Sequence, residues 1–300
     1  MIPSKENITI GFAHAAYRMK DRFELRKTGI RNFQAWAYDD LVKRIGEADV
    51  VVASGMDQYS KEQLGAKNIR LASAAGVNAR AVAEHALALI LAVARRLPEA
   101  RDNQHKKMWR GMLGDLTQRE DELGGKTLLI VGMGRIGSHL AKLAKAFDMK
   151  VLGIRRDPAQ GANGADSIHG MGDLVKLVPQ ADFVALACAL TPETTGLMSA
   201  AAFAAMKPSA VFVNVARGKV ADEAALIKTL QDNRIWAAAL DVTVDEPLPD
   251  SSPLWSMPNV FITPHTAGET RAYEDNVIDI LIENLERLWR GEKTLRNQVL

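Results

Sequence analysis

The chain has one cysteine among 300 residues, Cys188, which excludes an internal disulfide and points to a reducing compartment. That cysteine lies in the apolar run DFVALACAL, so a buried, unreactive thiol is expected. Neither sign of charge is in excess. Thirty-eight basic against 36 acidic residues leave a net charge of +2, which gives no reason to expect nucleic acid or an acidic membrane as partner. No apolar run reaches the roughly 20 residues needed to span a bilayer. The most apolar stretch, ALALILAVA at 86–94, is flanked by Glu84 and Arg95 and reads as a buried helix. Near the N-terminus, polar residues pass directly into the β-rich run ITIGFA with no apolar secretion segment, so a cytoplasmic protein is expected. The six histidines are scattered and show none of the paired spacing that metal sites use, so no metal is expected.

What is present is the composition of a soluble globular protein, 47% hydrophobic and 25% charged, long enough for one large domain or two ordinary ones. ITIGFA, ADVVVAS and IRLAS read as strands. AVAEHALALILAVARRL, apolar nearly all round, reads as a helix buried between larger bodies. The polar stretch from Pro98 to Lys126 has little strand character and reads as a connector or a partner-facing arm. From Thr127 onward strands and helices alternate strictly, with DFVALAC, AVFVNVA, WAAALDV and NVFIT as further strands. Continuous apolar strands separated by helices predict an α/β protein with a parallel sheet covered on both faces. The segment AYEDNVIDILIENLERLWRGE predicts one amphipathic helix.

Within this rhythm, LLIV at 128–131 feeds Gly132-Met133-Gly134-Arg135-Ile136-Gly137, and a helix and a second strand follow on schedule. That context marks a dinucleotide loop, with Gly132, Gly134, Arg135, Ile136 and Gly137 at the pyrophosphate. Glycines let the backbone approach, and the helix N-terminus favours the anion. Where an acid would accept from the ribose hydroxyls of NAD, the chain carries Arg155 and Arg156. Two guanidinium forks suit a 2′-phosphate, so NADP(H) is the expected cofactor with NAD(H) possible. The competing reading is a solvated basic pair at a strand end.

VNVARGKVADEAALIKTL, AALDVTVDEPLPDSSPLW and PNVFITPHTAGET stand in the order and spacing of the D-isomer-specific 2-hydroxyacid dehydrogenases. LTPETTGLM and VNARAVAEHALAL resemble that family too, and the resemblance runs from about residue 65 to the C-terminus. It implies a Rossmann dinucleotide-binding domain, 95–271, inserted in a flavodoxin-like substrate domain, 1–94 and 272–300. It also implies a homodimer. The activity implied is hydride transfer between NADP(H) and a small 2-oxo or 2-hydroxy acid, with glyoxylate or hydroxypyruvate as the expected substrate and D-specificity by resemblance.

The resemblance assigns roles that the chemistry supports. Arg217 follows a strand, at the edge where open α/β sheets bind ligands, and its fork can grip the carboxylate and carbonyl oxygens of a 2-oxo acid. His265 would protonate the carbonyl oxygen as hydride arrives. Glu246 would hydrogen-bond the imidazole, orient it and favour its protonated form. Val215 and Ala216 would line the cofactor, and Asp241 matches the position that contacts the nicotinamide carboxamide; the alternative for Asp241 is a turn cap. Glu84 and His85, on the apolar helix, read as structural. His14, His105, His139 and His169 read as surface or locally bonded residues. Trp109 and Trp255 are candidates for the dimer or the cleft.

Family members carry, after the strand like ADVVVASG, a further helix and strand whose loop binds the substrate carboxylate. Here ADVVVASGM runs straight into DQYSKEQLGAKNIRLAS. Either the substrate domain is one βα unit short, with Ser54, Gly55 and Met56 as the carboxylate loop, or a segment is missing between Met56 and Asp57. The second is favoured, because deleting a strand exposes apolar surface and unpaired edge groups. A dinucleotide-sensing protein of corepressor type is the alternative function, since the fold does not prove turnover. Formate dehydrogenase is disfavoured by the acid at Glu246.

Overall fold

Most strands form where the sequence is apolar, VVVA, TLLIV and VFVN among them. In the computed structural model, which describes residues 2–14, 16–53 and 69–300, the chain divides into two compact units, 1–78 with 270–300 and 79–269. In the first unit β1 (Thr9–Ala13), β2 (Arg31–Ala35) and β3 (Val50–Ala53) form a parallel sheet in the order β2-β1-β3. Ile8, Ile10 and Phe12 pack against Met19 and Phe23 of α1 (Met19–Glu24) and against Val277, Ile278 and Leu285 of α9 (Tyr273–Trp289). The opposite face is covered by Leu41 of α2 (Tyr38–Arg44), over Phe33 and Ala35. The predicted terminal helix is α9. Its first two turns are tied to α1 and the turn after it, where Arg22 meets Asp275 and Arg26 meets Asp279.

IRLAS is not a strand of this sheet, contrary to the sequence reading. Leu71 and Ser73 donate their N–H groups to Leu300 and Asn297, Val299 donates to Leu71, and Ala72 bridges Gln298 in antiparallel sense. The segment finds its hydrogen bonds in the chain's last residues. Ser54, Gly55 and Met56, with the question of a missing segment before Asp57, lie outside the described residues.

In the second unit seven parallel strands run in the order β10-β9-β8-β7-β4-β5-β6. They are β4 (Thr127–Val131), β5 (Lys150–Ile154), β6 (Ser167–His169), β7 (Phe183–Leu186), β8 (Val211–Asn214), β9 (Ala237–Leu240) and β10 (Val260–Ile262). β6, three residues long at the edge, was not foreseen. Alternate residues of β4 face opposite cores. Leu128 and Ile130 look toward α3 (Ala79–Ala94) and α5 (Arg135–Lys145). Leu129 and Val131 look toward α6 (Leu174–Leu177), α7 (Ala200–Ala204) and α8 (Glu223–Gln231). Helices on both faces explain why the central strands are largely apolar.

The apolar helix α3 belongs to this larger unit, whereas the sequence reading placed residues 79–94 in the substrate domain. The reason is packing: Val82, Ala86, Leu89, Ile90 and Val93 bury their side chains in the same core as Leu140 and Ala144 of α5. Arg80, Glu84 and Ala88 are its exposed residues, with Glu84 paired to Arg80 at 2.7 Å. After α3 the polar stretch contains a helix, α4 (Leu97–His105), and then an exposed arm. Among the described residues no helix is long and apolar enough to cross a membrane.

Candidate active site

Strand order reverses beside β4, whose neighbours are β5 and β7, and such switch points are where open α/β sheets bind ligands. The glycine loop sits there. Gly132 has φ +106°, and a Cβ on it would lie 2.5 Å from the Cys188 nitrogen at the end of β7, so both its conformation and the neighbouring strand demand glycine. A Cβ on Gly137 would lie 2.2 Å from the Gly132 carbonyl oxygen, which lets α5 start tight against the turn. Gly134 differs: a Cβ there meets nothing within 4 Å. It caps α5 without a side-chain hydrogen bond, so the first N–H groups of the helix point outward beside exposed Arg135 and half-buried Ile136. The loop therefore fits a pyrophosphate. Cys188 behind it is half-buried, and burial pushes its thiol up to about 11; the thiol is protonated at neutral pH, as expected.

The two arginines after β5 have different surroundings. Arg155 donates to the carbonyl of Gly161 at 3.1 Å and to the side chain of Gln160, so it shapes the following turn. Arg156 is exposed. It faces Glu193, whose carboxyl lies below its usual range through a hydrogen bond from Thr191, its own backbone N–H and the Arg156 charge.

The remaining residues come from the ends of three adjacent strands, β8, β9 and β10. Beyond β8, buried Asn214 holds the turn: its side-chain carbonyl accepts from Ala216 N–H at 3.0 Å and its amide donates to the Arg217 carbonyl at 3.1 Å. Val215 and Ala216 are buried, while Arg217 is exposed with one guanidinium nitrogen 2.6 Å from the Ala216 carbonyl. Gly218 lets this turn lie against β9's end, because a Cβ would sit 2.0 Å from the Thr243 carbonyl. Backbone cannot give way like a side-chain tip, so Gly218→Ala should destabilise the unit by about 2 kcal/mol or more. Urea unfolding checks this, and a loss below 0.5 kcal/mol, roughly the size of a neutral surface change, would show the contact to be soft.

His265, beyond β10, places Nδ1 2.6 Å from Glu246 Oε2. The other carboxylate oxygen of Glu246 accepts from Thr243 N–H at 3.1 Å, which fixes the acid on its loop. Both side chains are partly open, 44% and 37% exposed, so the pair is accessible from solvent. His265 has φ +55°, a left-handed conformation that costs on the order of 1 kcal/mol in a non-glycine residue and persists only where neighbours impose it.

Asp241 is what imposes it. Its main-chain carbonyl accepts from His265 N–H at 2.8 Å; its carboxylate accepts from the next two N–H groups, Thr266 at 3.0 Å and Ala267 at 3.1 Å, and from the Thr263 hydroxyl at 2.6 Å. Only 2% of Asp241 is exposed. Burial alone would push the carboxyl up; hydrogen bonds from His85, Thr263 and Ala267 outweigh it and hold it below the usual range. In this structure the carboxylate caps the His265 turn, one of the two readings that the sequence left open. Sequence reading missed Thr263 and Asn214 altogether, although both sit one or two residues from a predicted site residue.

Elsewhere the histidines follow the expectation. His14 accepts from the N–H groups of Ala16 and Tyr17 at Nδ1, and His169 bonds Ser167 at 2.8 Å.

Residues 87–267, nearly all of the seven-stranded unit, match the family model described as D-isomer specific 2-hydroxyacid dehydrogenase, NAD binding domain. The chain belongs to the D-isomer specific 2-hydroxyacid dehydrogenase family. It is 40% identical over 246 residues to a glyoxylate/hydroxypyruvate reductase B of Escherichia fergusonii, covering 81% of this chain and 75% of the relative. It is 36% identical over 258 residues to a D-3-phosphoglycerate dehydrogenase of Methanocaldococcus jannaschii, covering 84% of this chain but 46% of that longer protein. A D-isomer specific 2-hydroxyacid dehydrogenase from Xanthobacter autotrophicus Py2, solved with NADPH and MES, superposes with a TM-score of 0.65 at 31% identity, over 78% of this chain and 93% of that one. This dehydrogenase is an NAD(P)-dependent oxidoreductase with the family's two-domain Rossmann fold.

Proposed function

We propose that the protein is an NADPH-dependent reductase of small 2-oxo acids, of the glyoxylate and hydroxypyruvate class, giving the D-2-hydroxy acid. The observation that carries this reading is the His265–Glu246 pair at 2.6 Å, standing at the sheet edge that also bears Arg217. NADPH, when bound, supplies the hydride. Arg217 grips the carboxylate and the carbonyl oxygen of the acid with its fork. The proton on His265 Nε2 passes to that oxygen, completing the alcohol, and Glu246 steadies the imidazolium from which it leaves. The Gly132–Gly137 loop and the start of α5 hold the pyrophosphate. The named activity of the Escherichia fergusonii relative and the NADPH in the Xanthobacter autotrophicus structure support this reading.

NADPH is proposed over NADH because an exposed guanidinium, that of Arg156, suits a 2′-phosphate, with Arg155 shaping its turn. Arg156→Ala should reduce the NADPH preference about 10- to 100-fold, as loss of charge-assisted hydrogen bonds does. A panel of 2-oxo acids assayed with both cofactors tests the whole reading. Fast NADPH oxidation with glyoxylate or hydroxypyruvate is expected; equal use of NADH by the unmodified protein would mean that the arginines only face solvent.

The working form is proposed to be a cytoplasmic homodimer. After α4 an arm tied by the Arg110–Glu120 ion pair exposes Trp109 by 98% and Met112 by 100%. Large apolar side chains displayed on a braced loop suit association with a second copy.

A further inference from the structure

We propose that Thr263 and His85 are positioning residues for the acid His265, acting through Asp241. This rests on the proposed role of His265. The geometry fixes the direction of the chain of bonds. Thr263 Oγ1 lies 2.6 Å from Asp241 Oδ1 and 2.9 Å from His85 Nε2. A hydroxyl has one proton, and a carboxylate held ionised can only accept. The Thr263 proton therefore points to Asp241, and the hydroxyl accepts from His85, so His85 Nε2 carries a proton. That N–H is also 3.4 Å from Asp241 Oδ1. α3 thus reaches, through His85, into the end of β10.

The chain matters because of what hangs on it. Asp241 accepts the N–H groups of three successive residues, His265, Thr266 and Ala267. These bonds hold His265 in its left-handed conformation and aim its ring at Glu246. Thr263, with its N–H on the Leu240 carbonyl and its own carbonyl 3.0 Å from His265 N–H, begins that turn. Without its hydroxyl, Asp241 Oδ1 and His85 Nε2 lose their shared partner, and the carboxylate keeps the N–H groups of Thr266 and Ala267 but loses the anchor that sets its angle. A displacement of the acid by an ångström is enough to slow proton transfer about 100-fold. Neither residue reaches the reacting atoms in this account. Their effect passes only through His265.

A double-mutant cycle tests it, with Thr263→Val, Thr263→Ser, His265→Ala and Thr263→Val/His265→Ala. Single-turnover reduction of glyoxylate is followed with enzyme in excess over NADPH, and NADPH affinity is measured by fluorescence titration. Thr263→Val is expected to slow the reaction about 10- to 100-fold, the usual range for residues that orient a reacting group, while NADPH binding changes little. Thr263→Ser, which keeps the hydroxyl, should restore most of the rate. When His265→Ala is already present, Thr263→Val should add less than about a twofold change, because coupled residues are non-additive. Equal slowing with and without His265→Ala, or weakening of NADPH binding in step with the rate, would overturn the inference while leaving the role of His265 intact. If His265→Ala alone leaves the rate unchanged, it is the role of His265 that fails. Should Thr263→Val not fold, His85→Gln replaces it in the same cycle with the same criteria.

Discussion

His265→Ala is expected to cut turnover by roughly two to four orders of magnitude, the usual contribution of a positioned general acid. NADPH affinity should hardly change, since the imidazole touches Glu246 and the loops of β9 and β10 rather than the glycine turn. Glu246→Gln is the companion test. Glutamine keeps the size and one acceptor oxygen but removes the charge 2.6 Å from Nδ1. Loss of this charge-assisted hydrogen bond leaves the imidazole without its charged orienting partner, so turnover should fall about 10- to 100-fold. An unchanged turnover would remove Glu246 from the proton transfer. Turnover within a few-fold of the unmodified protein after His265→Ala would remove His265 itself.

Arg217→Gln is expected to lower kcat/KM by about 10³-fold or more. Two losses combine. The substrate carboxylate loses a bidentate partner, which raises KM, and the carbonyl oxygen loses a charged donor as it turns into an alkoxide, which lowers kcat by about 10²- to 10³-fold. Arg217→Lys should recover only part, because a point charge cannot replace the planar fork. The turn itself should survive, because Asn214 holds the main chain at 216 and 217 and not the guanidinium. Steady-state kinetics with glyoxylate checks the prediction. Changes confined to kcat, with KM untouched, would mean that Arg217 does not bind the substrate carboxylate.

The centre of the seven-stranded sheet was legible because its strands are buried on both faces and so read as apolar runs. Leu128 to Val131 alternate between two cores without a polar residue among them. The glycine turn was legible for a related reason: Gly132 and Gly137 are places where no Cβ fits. IRLAS misled because its β character is satisfied by the C-terminal residues 297–300, a pairing across the length of the chain that no local pattern encodes. The first unit boundary was misplaced because α3 is apolar on almost every side, which says that it is buried but not in which core.

At the site, residue types were readable and their partners were not. Arg155 and Arg156 look equivalent in sequence, yet the carbonyl of Gly161 takes one and leaves the other exposed. Asp241 was read toward the cofactor by resemblance, and the turn that it caps depends on N–H groups 25 and 26 residues further on. Thr263 carries no signal of its own. Its role comes from a hydroxyl that touches α3 and β9 at once, and only the folded chain brings those together.

The most direct test of the central claim is a stoichiometric one. The protein is mixed with NADPH and hydroxypyruvate, nicotinamide absorbance is followed, and the product is resolved by handedness. The account predicts that each NADPH consumed yields one D-glycerate and that His265→Ala, with its NADPH affinity retained, is nearly silent. Tight NADPH binding by the unmodified protein with no oxidation by hydroxypyruvate, glyoxylate or related 2-oxo acids would contradict it and identify a dinucleotide sensor instead.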